Sequence, residues 1–153
     1  MNYVNVSGGQ PYQRKRVESI VHYCIAKLMP RMQTLDIDIK LTNLKGEAYG
    51  YCLSLDKRTF ELEIEKKLNL KTLLTTVAHE MVHVKQYAKD ELHEYVQKKG
   101  HRYKGEYYKD GIDYWDEPWE IEAHGREVGL FVRWAEKHKL GKRKWTHDPG
   151  CAE

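Results

Sequence analysis

The chain has 153 residues, with 26 Lys+Arg against 23 Asp+Glu, a net charge of +3 and a mean hydropathy of −0.78, so one domain is expected. With 41% of residues in the AVILMFWYC set and 11% aromatic there is material for one core, which excludes a wholly disordered chain. No run approaches the roughly 18 apolar residues of a membrane span, and the N-terminal MNYVNVSGGQPYQRKR lacks the apolar segment of a signal peptide, so no membrane partner and a cytoplasmic location are expected.

The first ten residues, with Ser7-Gly8-Gly9, read as a flexible lead. From Pro11, suited to a first helical turn, Val17, Ile20, Val21, Cys24, Ile25 and Leu28 recur at three- and four-residue steps, which predicts a helix ending before Pro30. The period then changes to two. Asp36 to Leu41 alternates strictly, Tyr49 to Leu55 is rich in strand formers and Phe60 to Glu65 alternates again, with Asp56-Lys57-Arg58 at a hairpin turn; three short, mainly antiparallel strands are expected. Asn69 is placed to cap a second helix over about Leu70 to Leu92. A looser stretch from Gly100 to Pro118 follows, then a last helix from about Glu117 to Lys139, stopped near Gly141. The order predicts an α+β domain over residues 11–140, with residues 141–153 as a basic tail.

Three cysteines, Cys24, Cys52 and Cys151, are odd in number and widely spaced, and read as isolated thiols. Eleven Tyr and four Trp against two Phe point to half-exposed walls more than to a dry interior. The basic run Arg133, Lys137, Lys139, Lys142, Arg143 and Lys144 reads as a solvated helix end and tail, with phosphate or nucleic acid as the other reading.

His79-Glu80-Met81-Val82-His83 is an HExxH motif inside the second helix. Residues i and i+4 share a helix face, so two imidazoles can reach one zinc ion with the intervening Glu beside them. Leu70, Leu73, Leu74, Val77, Met81, Val84 and Ala88 form a stripe on the opposite side, which predicts a helix packed on one face and open to a cleft on the other. On the last helix, Glu120 falls on the face of Ala123, Val128, Leu130, Phe131, Trp134 and Ala135. A carboxylate aimed into an apolar face needs a partner or a metal, which makes Glu120 the candidate third ligand. A buried ion pair would also account for it. His124 and Glu127 share the inward face; Glu122 lies on the charged side. Glu122 and His124 remain second-choice ligands, and His124 is also a candidate to orient a ligand.

HEMVH, followed by PWEIEAHGREV at the start of a later helix, resembles the zinc peptidases with HExxH plus a distant Glu, the gluzincins in the broad sense. It is most similar to the small SprT-like and ImmA/IrrE-like domains and their phage-encoded minimal versions, over Asp36 to Lys139. Glu120-Ile121-Glu122-Ala123-His124 matches the family's ExxA, with His where Asp or Asn is usual. The resemblance implies a small zincin-like fold and one catalytic zinc ion on His79, His83 and Glu120. It further implies Glu80 as general base, a Tyr or His that stabilises the oxyanion, and a peptide or protein substrate cut by a monomeric endopeptidase. Oxyanion candidates are His101, His124, Tyr103, Tyr107, Tyr108 and Tyr114. In the family, a strand preceding the active-site helix takes substrate as an added edge strand, and Thr59 to Glu65 is the matching segment. The cysteine zinc ribbon of SprT proteins is absent from the sequence, so a DNA-repair role is not implied. The rival reading is a catalytically silent zinc-binding regulatory or nucleic-acid-associated module. The aromatic excess then acquires a place: Tyr95, Tyr103, Tyr107, Tyr108, Tyr114, Trp115 and Trp119 fall between the two metal-bearing segments, where Tyr103 to Trp119 is expected to border the site with a hydroxyl facing it.

Overall fold

A computed structural model describes residues 1–46 and 48–147; Cys151 and the rest of the expected tail from residue 148 lie outside the described residues. The chain runs β1 (Tyr3–Gly8), α1 (Pro11–Leu28), β2 (Asp36–Thr42), β3 (Gly50–Ser54), β4 (Thr59–Glu65), α2 (Leu70–Ala88), β5 (Leu92–Tyr95), β6 (Gly100–Tyr103), β7 (Glu106–Lys109) and α3 (Pro118–Lys137). Short 3-10 turns occupy Tyr114–Asp116 and Lys144–Thr146. This is the expected α+β class, with a larger sheet content than the periodicity predicts.

The main sheet has four strands in the order β1-β2-β4-β3. The β1–β2 and β2–β4 pairs are parallel and only the β3–β4 hairpin is antiparallel, which corrects the expected three-stranded, mainly antiparallel sheet. The missing strand is the supposed flexible lead. Val4 and Val6 alternate with Tyr3 and Asn5, a pattern too short to stand out, and α1 supplies the crossover that a parallel neighbour requires. Asn2 fastens the start of β1, its amide donating to Met32 O at 2.8 Å and its carbonyl accepting from Leu35 N at 2.9 Å. Gly8 ends it in a left-handed conformation, φ +80°, where a Cβ would sit 2.1 Å from the Leu41 carbonyl oxygen.

One face of the sheet carries Ile37, Ile39, Leu41, Phe60, Leu62 and Ile64, all buried against α1 and α2. The α2 stripe Leu70, Leu73, Leu74, Val77, Met81, Val84 and Ala88 is buried as expected, and α3 adds Ala123, Phe131, Trp134 and Ala135 to the same core. Val128, expected among them, is instead exposed, on the wall of the cleft. Asn69 caps α2, accepting from Thr72 N at 2.9 Å. The helix stops at Ala88, short of the expected Leu92, because Asp90 turns left-handed and Glu91 N donates back to Gln86 O at 2.8 Å.

The stretch after α2 is not loose. Residues 92–109 form a three-stranded meander, β5-β6-β7, whose four-residue strands are too short to show a period. Leu92, Tyr103 and Trp119 make a small second core beneath it. The basic tail is likewise partly structural: Trp145 is buried against Phe131, with Arg16 over its ring at 5.8 Å. Cys24 is buried and Cys52 half-buried, and both are free thiols. Among the described residues no helix is long and apolar enough to cross a membrane.

Replacing Gly8 with Ala is expected to lower the unfolding free energy by about 2 kcal/mol in urea titration, the scale of one forced backbone outlier. A lead that hung free would tolerate the change without effect.

Candidate metal centre

Two helices build the site. HEMVH lies in the middle of α2, and its three polar side chains are nearly closed off from solvent, with His79, Glu80 and His83 at 8%, 6% and 7% exposure. Glu120 lies in the first turn of α3, where Pro118 starts the helix, and its carboxylate sits between the two imidazoles. Oε1 is 3.0 Å from His79 Nε2 and Oε2 is 3.0 Å from His83 Nε2. His79, His83 and Glu120 form a group that could hold a metal ion, as the motif spacing and the helix-face argument anticipate. Both nitrogen–oxygen separations are a few tenths of an ångström below the roughly 3.3 Å between ligand atoms of a small four-coordinate ion, so these two contacts would open slightly to admit one.

The other nitrogen of each imidazole is taken. His79 Nδ1 meets Glu127 Oε1 at 2.9 Å, and His83 Nδ1 meets Gln86 Oε1 at 2.8 Å. The Gln86 amide cannot turn round, because its Nε2 donates to Trp119 O at 3.0 Å and to Glu122 Oε1 at 2.9 Å. Its oxygen therefore faces His83, so the neutral imidazole keeps its proton on Nδ1 and, once Nε2 has given up the proton it shares with Glu120, offers that lone pair to a metal. Glu127 imposes the same tautomer on His79. Neither Gln86 nor the role of Glu127 is assigned by the sequence argument. The available signal is spacing: Gln86 is three residues after His83 and Glu127 seven after Glu120, so each shares the ligand's helix face.

Glu122, a second-choice ligand from the sequence, does not reach the group. It is the hub of a buried network on the other side of α3, accepting from Lys85 Nζ at 2.5 Å, Tyr103 Oη at 2.8 Å and Arg126 Nε at 2.9 Å as well as from Gln86. The face read as solvated is covered by the end of α2 and by β6, an arrangement helical periodicity cannot anticipate. Lys85 is itself buried, held between Glu122 and Glu91.

The tyrosines separate clearly. Tyr103 is committed to Glu122, Tyr107 donates to Lys98 O at 3.2 Å, and Tyr108 packs edge-on against Trp119. Tyr114 is the one whose hydroxyl reaches the group, 2.9 Å from Glu120 Oε1 and 2.8 Å from His124 Nε2. His124 Nδ1 meets Glu127 Oε1 at 2.8 Å, so Glu127 bridges His79 and His124. Those three residues also satisfy the distances of a cation site, one that shares His79 with the first group. His101 stacks on Trp119 at 4.7 Å and lies off the group. Of Tyr103 to Trp119, therefore, Tyr114, Trp115 and Trp119 border the site, and Tyr103 and Tyr107 do not.

These groups open into a cleft of about 1110 Å³. One wall is Ala48 to Cys52 with the α2 residues Lys71, Thr72, Thr75 and Thr76; the other is Tyr114, Trp115, His124 and Val128. The segment beside the site is thus β3 and the residues before it. The expected substrate strand, Thr59 to Glu65, is β4, paired on both sides by β2 and β3 and closed to an added strand.

Charge is tightly coupled here. Burial lowers the pKa of His79, but hydrogen bonds to Glu120 and Glu127 outweigh it and raise it to about 9. His83 is also raised, burial again opposing the hydrogen bond and charge of Glu120. Burial pushes Glu120 upward, yet the two imidazoles and Tyr114 hold it well below the usual carboxylate range. Glu122 is pushed up by burial and pulled down to about 2 by Lys85, Gln86 and Tyr103. Glu80 is raised by burial, against the nearby His83 and His79. Compared with protein-family models, curated proteins and solved structures, the chain matches none.

Two outcomes follow from this geometry. Glu127→Ala or Gln86→Leu is expected to weaken metal binding about 10- to 100-fold, measured by competition with a chromophoric chelator, since each removes the acceptor that orients an imidazole. Undiminished affinity in both would mean the imidazoles are held by something else. Because His79 is raised in the folded state from 6.5 to about 9, its stabilisation is complete below pH 6.5 and disappears as pH rises through about 9. Metal requires the deprotonated Nε2 and gains over the same window. The melting temperature of chelator-treated protein should fall from pH 6.5 to 9 while the increment produced by added metal grows; a flat profile for both would refute the pairing.

Proposed function

We propose that the protein is a zinc-dependent peptidase in which Glu80 is the general base. The observation that carries this reading is the placement of a buried carboxylate, Glu80, beside a His79/His83/Glu120 group at the floor of an open cleft. A domain that only stored or sensed a metal would need the three ligands but not that fourth, acidic side chain. The resemblance of HEMVH and PWEIEAHGREV to the gluzincin pattern points the same way.

Zinc, when bound, supplies Lewis acidity, polarising the substrate carbonyl and making water more acidic. The chain's own residues do the rest. Glu80 accepts a proton from the attacking water as its oxygen bonds to the carbonyl carbon, then delivers it to the amine as the C–N bond breaks. Its raised pKa suits both directions of transfer. Tyr114 presents its hydroxyl next to Glu120 and donates to the carbonyl oxygen as negative charge gathers there, with His124 holding the phenol in place. Gln86 and Glu127 keep both imidazoles in the ligating tautomer. An extended substrate backbone lies along β3, the strand at the cleft wall, in place of the segment expected from the sequence.

The test is hydrolysis of a fluorescein-labelled unfolded protein by zinc-loaded enzyme, with metal content read by elemental analysis. Glu80→Gln should retain its zinc and lose at least about 100-fold in rate, and chelator should abolish cleavage by the unaltered protein. Equal rates for Glu80→Gln, or no cleavage by fully loaded protein, would overturn the reading.

A further inference from the structure

We propose that Tyr49, Tyr51, Leu53 and Leu55, the exposed row along the free edge of β3, select extended polypeptide segments bearing a large apolar residue at every second position. This rests on the peptidase reading and names the substrate class of the same cleft.

β3 is the last strand of the sheet order, paired only with β4. Glu65 N donates to Tyr49 O at 2.8 Å and Leu55 N donates to Thr59 O at 2.9 Å. Bonds alternate along an antiparallel pair, so residues 49, 51, 53 and 55 direct their backbone groups at β4. Gly50 and Cys52 then aim N–H and C=O outward, toward the position of an additional strand. Both line the cleft that contains His79, Glu80 and His83.

Side chains divide by the same alternation. Gly50 and Cys52 face the helices: a Cβ on Gly50 would meet Thr76 Cγ2 at 3.0 Å. Tyr49, Tyr51, Leu53 and Leu55 stand on the opposite face, where they are 53–56% exposed. Four large apolar side chains in a row on a free edge are what folded proteins ordinarily avoid by placing lysine, proline or a bulge there. Here the strand has none of these, and its charges, Asp56, Lys57 and Arg58, are confined to the turn. Behind the row, Glu63 is paired with Tyr51 and Glu61 with Leu53, so the apolar surface is one strand wide. An occupant that matches it is therefore a single strand, not a second sheet or a helix. Its alternate residues rest on Tyr51 and Leu53 as cross-strand neighbours while its other residues face the cleft. Such alternation is the pattern of a half-buried strand, which a folded protein keeps paired and covered. The accessible source is an unfolded or partly unfolded chain.

Binding can be separated from chemistry with zinc-loaded Glu80→Gln protein and two fluorescent octapeptides of identical composition. One alternates Leu or Val with Ser or Thr; the other arranges the same residues in blocks of four. Fluorescence anisotropy should give at least about tenfold tighter binding of the alternating peptide. Substituting Tyr51→Ser and Leu53→Ser together should erase that preference without changing zinc content or melting temperature, because both side chains are exposed. N-methylation of the peptide amides on every second residue should abolish binding in one phase of the alternation and spare it in the other. Equal affinity for the two peptides, or a preference that survives the double substitution, would overturn the proposal. Alternation-dependent binding combined with failure of the unaltered protein to cleave either peptide or the unfolded protein would refute the peptidase reading while supporting the docking strand.

Discussion

The structure turns on one carboxylate shared by two imidazoles. Glu120 is held at 3.0 Å from both His79 and His83 in a setting where an unpaired charge would be prohibitive. The arrangement requires α2 to satisfy two demands at once, an apolar stripe against the sheet and three polar side chains at the seam with α3. A helix achieves this because i and i+4 point one way while the intervening turn's apolar residues point the other. Ala123, Phe131 and Trp134 dock α3 in the core, and Glu120 meets the two imidazoles at its seam with α2.

Around that core of charge lie two supporting shells of different character. On the cleft side, Glu127, His124 and Tyr114 form a chain that ends at the Glu120 carboxylate. On the buried side, Lys85, Tyr103 and Arg126 converge on Glu122, which fixes the Gln86 amide and through it His83. The second network ties α2, α3 and β6 together, so the small meander is part of the site's support, not an appendage. A domain of this size has little apolar area to spare for rigidity, and a satisfied polar network provides it instead.

The elements read best from the sequence were those whose period is long enough to register: α1, α2, α3 and the alternating strands β2 and β4. β1 was missed because four alternating residues after a methionine carry little signal, and its pairing depends on a crossover through α1. The meander was missed because strands of four residues separated by tight turns have no period. Of the site, HEMVH and Glu120 were legible, the first as a motif and the second as a charge on an apolar face. Tyr114 could not be separated from Tyr103, Tyr107 and Tyr108, since all four are aromatic residues in one stretch and only their hydroxyl partners distinguish them.

Sequence alone determined the helical phase of His79, Glu80, His83 and Glu120, because phase within a helix is set by 3.6 residues per turn and needs no neighbours. Tertiary structure decided what each phase faces. Glu122 lies on the side of α3 that periodicity assigns to solvent, yet the end of α2 and β6 cover it. β4 has the alternation of a half-buried strand, which is silent on its lateral neighbours; β2 takes one side of it and β3 the other, which leaves β3 at the cleft. Which strand is outermost, and which helix face is covered, depends on contacts between residues far apart in the chain, and those are not written in any local pattern.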